Sequence, residues 1–263
     1  REGLGVLERY VNPVETFLEM SEGGDIFPNQ MRGICEDGAG KVYFMEEDGA
    51  IYYRTPGKPG LDTLVLTLAE DSTRILAFRA GTALLYDEPA DVLWGCGRPV
   101  NLAKGGLLFR YDLKHQTTKV YRMDYAARAM AFGPDGALYL GVSDPREIGL
   151  LLRFDRRREA CIPVLKVGES VEKISGLRIN CLLAVANGKL LIGTGGQGLV
   201  GYDPTTGKVN VYELKKAKSD DEEAGAAAGA KEGLGAIFSI LETAPGDWWL
   251  GTDVGLFLSL IHF

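Results

Sequence analysis

Six arginines, one asparagine and one tyrosine stand out in this chain by where they fall. Arg32, Arg74, Arg128 and Arg178 each open an apolar alternating run: RGICED, RILAF, RAMAF and RINCL. Arg98 lies in GCGRPVNLAKGG with Asn101 and Lys104, and Arg146 lies in VSDPREIG with Asp144 and Glu147. A guanidinium is planar, permanently charged and forked, so it matches a carboxylate, sulfate or phosphate better than an ammonium does. Arginines gathered at one end of several strands would form a local positive mouth on a chain of formal net charge −7. The competing role is structural, each Arg pairing with an Asp or Glu of a neighbouring strand set. Asn180, two residues after Arg178, is expected at the same mouth as a polar cap or ligand contact. Tyr125 and Phe27, in connecting segments, are candidate platforms for stacking on a sugar ring.

Residues for catalysis are sparse. Only two histidines occur, His115 in a polar turn and His262 next to the last residue. Of Glu36, Asn180 and Asp71, the candidate inner-strand calcium ligands, Asn180 alone is well placed. No nucleophile elbow, P-loop or calcium-loop pattern is present. The four cysteines, Cys35, Cys96, Cys161 and Cys181, are scattered and contain no C-x-x-C pair, so neither a disulfide framework nor a zinc site is expected. No cofactor and no metal is expected. Two carboxylates flanking a funnel, as a glycoside hydrolase uses, are open to such a chain, but no pair stands out.

The elements that must position these residues repeat along the chain. Segments starting at Arg32, Arg74, Arg128, Arg178 and Ala236 share one frame: an alternating apolar strand, a Gly-bearing turn, and a second strand ending in Gly. A Gly-led third strand follows, then a polar turn and a fourth strand. The starts lie roughly 40–60 residues apart, near the ~40–50 of a propeller blade. Turns such as Pro134-Asp135-Gly136 and Asn187-Gly188 supply the conformations a hairpin needs. A β-sandwich explains the strands but not the blade-length self-similarity. The expected fold is therefore all-β: a single β-propeller domain over 1–263, with four-stranded antiparallel blades, five or six in number, or a piece of a longer array. Gly3–Met20 reads like a third and fourth strand, and the C-terminal GLFLSLIHF like a third strand, so strands at the two ends could complete one blade. Lys215–Leu234 is charged, then Ala/Gly-rich, with no apolar face; a disordered or loosely helical surface insertion is expected there. Trp94, Trp248, Trp249, Tyr43 and Tyr139 fall in second strands before Gly and are expected to pack between blades.

The frame I-x-x-I-x-x-x-x-x-G-x-x-W-x-G-T-x-x-G-L over Ile237–Leu256 resembles the two-component-regulator propeller repeat. DWWLGTDVGL (Asp247–Leu256), KLLIGTGGQGL (Lys189–Leu199) and GLLLRFD (Gly149–Asp155) carry the resemblance across nearly the whole chain. That family builds the periplasmic sensor regions of hybrid two-component systems in gut Bacteroidetes. Its members carry longer double propellers followed by an immunoglobulin-like domain, a membrane span and a kinase, none of which occurs in these residues. The resemblance implies a periplasmic or extracellular bacterial setting, signal transduction, and a carbohydrate-sensing context.

Bulk properties bound the partners. The acidic balance argues against nucleic acid, whose phosphates require a basic surface. No apolar run reaches the ~18–20 residues of a membrane span, and no signal-peptide pattern is visible at Arg1. The 35 glycines fit an all-β chain with many turns. The function expected is a non-catalytic sensor or binding propeller for a glycan, another small ligand or a protein partner. The alternative is a propeller enzyme, a polysaccharide lyase, glycosidase or lactonase, acting on a sugar substrate.

Overall fold

Alternation of apolar and polar residues in short runs, each closed by a turn, produces antiparallel sheets and nothing longer. The structure, a computed structural model, describes residues 30–100, 105–143, 149–166, 178–196, 198–212 and 235–260. Five antiparallel sheets stand as the blades of a β-propeller. Blade 1 holds β1 (Met31–Glu36), β2 (Val42–Glu46), β3 (Ile51–Arg54) and β4 (Asp62–Leu64). Blade 2 holds β7 (Phe78–Asp87), β8 (Val92–Pro99), β9 (Gly106–Asp112) and β10 (Thr117–Met123). Two short strands, β5 (Thr67–Leu68) and β6 (Asp71–Ile75), extend blade 2 beyond β10, with β5 parallel to it. Blade 3 is β11 (Ala127–Phe132), β12 (Leu138–Ser143), β13 (Gly149–Asp155) and β14 (Ala160–Lys166). Blade 4 is β15 (Ile179–Ala184), β16 (Leu190–Thr194), β17 (Leu199–Tyr202) and β18 (Val209–Tyr212). Blade 5 has three described strands, β19 (Ile237–Ala244), β20 (Asp247–Thr252) and β21 (Gly255–Leu260).

The first strands form the inner layer: β1 packs on β7, β7 on β11, β11 on β15 and β15 on β19. Between each pair of blades lies an apolar cluster made from both. The cluster between blades 2 and 3 sets Trp94, Leu108 and Tyr121 against Met130, Leu140, Leu152 and Phe154. Burying both faces of every inner blade this way is the main stabilising term of the fold. The aromatics that the sequence marks for packing do pack: Tyr43, Trp94, Tyr139 and Trp248 are 0–3 % exposed. Trp249 differs, being half-buried on the outer side of blade 5.

First-to-second turns close one end of the blades. Gly136 and Gly188 take φ of 70° and 80°, left-handed values that cost a side chain strain. The third-to-fourth turns at the same end are built by a repeated aspartate. Asp112 Oδ1 accepts from the N–H groups of Lys114 and His115, Asp155 Oδ1 from Arg157 and Arg158, and Asp203 Oδ1 from Thr205 and Thr206. His115 is held there by Asp112, 3.0 Å away, at the end of the blades opposite the strand starts.

The same structure corrects one feature of the sequence frame. Arg74 does not open a first strand. Its backbone belongs to β6, at the outer edge of blade 2, and the inner strand begins at Phe78. The extra β5–β6 ribbon pairs on β10, so the apolar run after Arg74 enters the blade only after turning back.

Gly3–Met20, Phe27, Asn101, Lys104, the Asp144–Arg146–Glu147 loop, Lys215–Leu234 and His262 lie outside the described residues.

Candidate functional site: the strand-start mouth

Each inner strand carries a bulge at one and the same place. Pairing skips one residue between Met31 and Gly33, Ala127 and Ala129, Ile179 and Cys181, and Ile237 and Ser239. In blade 2 the skip runs from Arg79 to Ala83. The register therefore makes Arg32, Thr82, Arg128, Asn180 and Phe238 equivalent, one per blade, at the end where the first strands start. A bulge bends the strand and re-aims its side chain, which is why such positions recur at rims and sites.

Arg32 and Arg128 thus share a position, as their equal distance to the turn glycines implies. Arg178 does not; it precedes β15, two residues before the bulge, and its counterpart in blade 3 is Ala126. The carbonyl of Arg178 accepts from Gly195 N–H at 2.7 Å. Arg32 pairs with Glu47 of its own blade, Nη2 to Oε2 3.1 Å, with both side chains close to half exposed. An exposed pair of this kind adds little stability.

Thr82 and Asn180 use the bulge to join blades. Thr82 Oγ1 donates to the Ala127 carbonyl at 2.7 Å, and Asn180 Nδ2 to the Ile237 carbonyl at 3.1 Å. Ala127 and Ile237 occupy matching positions in the following blade, so this is one repeated stitch. Tyr125, in the connection from β10 to β11, is half-buried against the cluster between blades 2 and 3.

Two mouth residues were not singled out from the sequence. Arg79 stands directly across the β7–β8 ladder from Arg98, and both are exposed. Like charges opposite one another on a sheet repel. Among the described residues neither guanidinium has an ion pair. Phe238 is 57 % exposed at the bulge of blade 5. Aligning AIFSI with RINCL, so that Phe238 matches Asn180, would have found it. Arg79 was hidden by taking Arg74 as the strand start. Arg32, Arg79, Arg98, Arg128 and Arg178 thus lie at the strand-start end of their blades, with Phe238 at the same end of blade 5.

Among the described residues, no three His, Cys, Asp or Glu side chains come together as a metal cage would require. The thiols lie away from reactivity: burial, aided by Asp37, pushes Cys35 up to about 12, and burial does the same for Cys161 and Cys181.

Glu242 joins blades 4 and 5 near the opposite end. Its carboxylate accepts from Ala186 N–H at 2.7 Å across the blade junction, and from Gly246 N–H and the Trp248 indole in its own blade. Burial alone would raise this carboxyl, but the three donors outweigh it and hold it below its ordinary 4.5. Hydrogen bonds at their turns hold Asp155 and Asp203 low as well. A carboxyl depressed in the folded state stabilises it above the unfolded value and loses that contribution as pH falls through the folded one. Melting temperature is therefore expected to be level above pH ~5 and to fall progressively below it. Glu242→Gln should lower it at neutral pH and flatten that fall. A melting temperature unchanged from pH 6 to pH 3 would contradict the assignment.

No family model matches the chain, and no curated protein matches it. Solved structures do share its fold. The extracellular domain of a putative hybrid two component system from B. thetaiotaomicron superposes with a TM-score of 0.61 at 16 % identity, over 92 % of this chain and 28 % of that one. PorZ, a bacterial surface component of the type-IX secretion system of Porphyromonas gingivalis, gives 0.57 at 14 % identity, over 90 % of this chain and 34 % of its own. YCF48 bound to D1 peptide gives 0.57 at 12 % identity, over 88 % and 64 %. This chain spans less than two thirds of each of these proteins, and at such identities the likeness shows the β-propeller fold alone.

Proposed function

We propose that this chain is a non-catalytic recognition propeller that binds an anionic oligosaccharide at the strand-start mouth. The observation that carries the reading is the Arg79–Arg98 cross-strand pair. Two arginines set directly opposite one another on the β7–β8 ladder, neither in an ion pair among the described residues, repel, and an anion between them relieves that repulsion. Carboxylates and sulfates accept forked hydrogen bonds from such groups. Arg128 and Arg178 stand at the same strand-start end, where Arg32 pairs with Glu47, and exposed Phe238 offers an apolar face to a sugar ring. The fold shared with the extracellular domain of a two component system supports a place outside the cytoplasm, as the input part of a sensor.

The test is Arg98→Ala measured against uronic-acid and sulfated oligosaccharides, with neutral glucan oligomers as control. A charge-assisted hydrogen bond contributes about 1.5–3 kcal/mol, so the dissociation constant should rise about tenfold or more. Wild-type affinity should weaken with added salt. Because the substitution relieves repulsion, the melting temperature should hold or rise. Arg128→Ala should weaken the same ligands if Arg128 faces them. Unchanged affinity for every acidic oligosaccharide in Arg98→Ala, or equal binding of neutral ones, would remove this reading.

A further inference from the structure

The turns that close the blades opposite the mouth follow one rule with one exception. First-to-second turns of blades 1, 3, 4 and 5 carry a glycine in the left-handed region, Gly40, Gly136, Gly188 and Gly246, with φ of 70–89°. In blades 1, 3 and 4 that glycine N–H donates to the carbonyl three residues back. Blade 2 makes the same bond from Asp91 N–H to the Glu88 carbonyl, 3.3 Å, with Asp91 at φ 50°. Aspartate enters this region more readily than most side chains, but glycine enters it without strain. A residue held there against that preference points to a use for its side chain.

Asp91 lines a cleft of about 510 Å³ between the turns of blades 1 and 2, together with Asp37, Lys41, Tyr43, Tyr86 and Lys114. Tyr86, near the end of β7, leans over blade 1: a Cβ on Gly38 would stand 3.1 Å from its phenol oxygen. The Tyr86 hydroxyl donates to Asp91 Oδ1 at 3.0 Å and orients that carboxylate. Asp37 is engaged differently. Its carboxylate accepts from Ala39 N–H, Lys41 N–H and the Tyr43 hydroxyl, and so holds its own turn. Asp91 is the exposed carboxylate of the cleft.

Opposite charges line this cleft but are held apart. Among the described residues, Asp37, Lys41, Asp91 and Lys114 form no ion pair. Two other junctions are cross-linked at this end: Arg156 of blade 3 reaches Asp87 of blade 2 at 3.1 Å, and Glu242 of blade 5 reaches Ala186 N–H of blade 4 at 2.7 Å. Between blades 1 and 2, Lys41 Nζ lies instead over the Tyr53 ring, 5.3 Å from its centre, and Lys114 is exposed in the third-to-fourth turn. A carboxylate and an ammonium kept apart across one cleft can each contact the opposite end of a ligand that carries both charges. The volume falls within the ~300–1,000 Å³ of small-molecule sites.

We propose that the turn-end cleft between blades 1 and 2 binds a zwitterionic ligand, a free amino acid or short peptide held by its two charged ends. The ligand ammonium pairs with Asp91 beside the Tyr86 phenol, and the ligand carboxylate pairs with Lys114, with Lys41 as the second cation. Both contacts are charge-assisted hydrogen bonds, the stronger kind. Leu113 adds an apolar wall for the ligand between those ends. The site lies at the opposite end of the blades from the arginines and is independent of what the mouth binds.

Calorimetric titration of the full chain with alanyl-leucine tests it, beside the N-acetylated and the C-amidated forms of the same dipeptide. The free dipeptide is expected to bind, and each blocked form to bind about tenfold or more weakly. Asp91→Gly installs the residue of the other four turns, so the melting temperature should hold or rise while affinity for alanyl-leucine falls about tenfold or more. Lys114→Ala should show the same loss of affinity. Arg98→Ala should leave it unchanged, which separates this cleft from the mouth. No binding of alanyl-leucine at millimolar concentration overturns the proposal, as does equal binding of the blocked forms. So does Asp91→Gly that binds like wild type but melts lower, which would mean that Asp91 serves only to hold Tyr86 and the turn.

Discussion

Replacing Trp248 by alanine is expected to cost about 3–5 kcal/mol, the largest loss of any single side chain in the last two blades. Trp248 is 0 % exposed, packs edge-on against Tyr212 with ring centroids 5.3 Å apart, and sits in the cluster with Leu191, Leu199 and Ile237. Its indole also donates to Glu242 at 3.0 Å, and Glu242 reaches across to Ala186. Alanine therefore leaves a cavity at the junction and removes one of three donors to a carboxylate. Trp248→Phe keeps most of the volume and should cost about 1.5–3 kcal/mol, since the lost hydrogen bond goes to a charged acceptor. Denaturant unfolding followed by far-ultraviolet circular dichroism measures both. A loss below about 1 kcal/mol for the alanine variant would mean that the junction between blades 4 and 5 is not packed as described.

Adding a single methyl at Gly141 is expected to destabilise the protein by about 1–3 kcal/mol. A Cβ there would overlap Ile179 Cγ2 and stand 2.8 Å from Ile179 Cβ, in a junction where Ile179 is 0 % exposed. On an open strand Gly→Ala would instead help, by reducing the freedom of the unfolded chain. Ile179→Ala alone should cost about 2–5 kcal/mol through the cavity it leaves. The pair Gly141→Ala with Ile179→Ala is then expected to lose at least ~1 kcal/mol less than the two single losses added together. Additive losses, within about 0.3–0.5 kcal/mol, would show that the two residues do not share one space.

The fold was legible because its information is local and repeated. Alternation in ARAMAF, the turn at Asp135-Gly136 and the strand LYLGV specify a hairpin without any distant partner, and RINCLLAVANGKLLIGT specifies it again. The equivalence of Arg32 and Arg128 was legible for the same reason, since nothing is inserted between either arginine and its turn glycine. Arg74 was misplaced because β5 and β6 interrupt the frame, and only their pairing on β10 reveals that they are additions. The Arg79–Arg98 pair was invisible because cross-strand partners are set by register, and the wide bulge of blade 2 shifts that register by residues that no turn signal marks. Phe238 lay in a correctly aligned strand, but nothing in the local pattern set it apart. Its exposure depends on a bulge that side-chain alternation alone does not announce.

The sequence by itself therefore determined the blade: four short strands, their turns, and which residues alternate toward a neighbour. These follow from backbone geometry and hydrophobic period, which act over a few residues at a time. Tertiary structure decided which side chains meet. Gly141 matters only because Ile179 of the next blade occupies its missing side chain, and Asn180 because the carbonyl of Ile237 comes within 3.1 Å. Such contacts join residues about 40–60 positions apart through the stacking of whole sheets, a spacing at which local pattern carries no information on side-chain size or register. The same stacking buries Ile51, Leu108, Leu151 and Leu199 at one third-strand position, while Leu256 at that position of blade 5 is exposed.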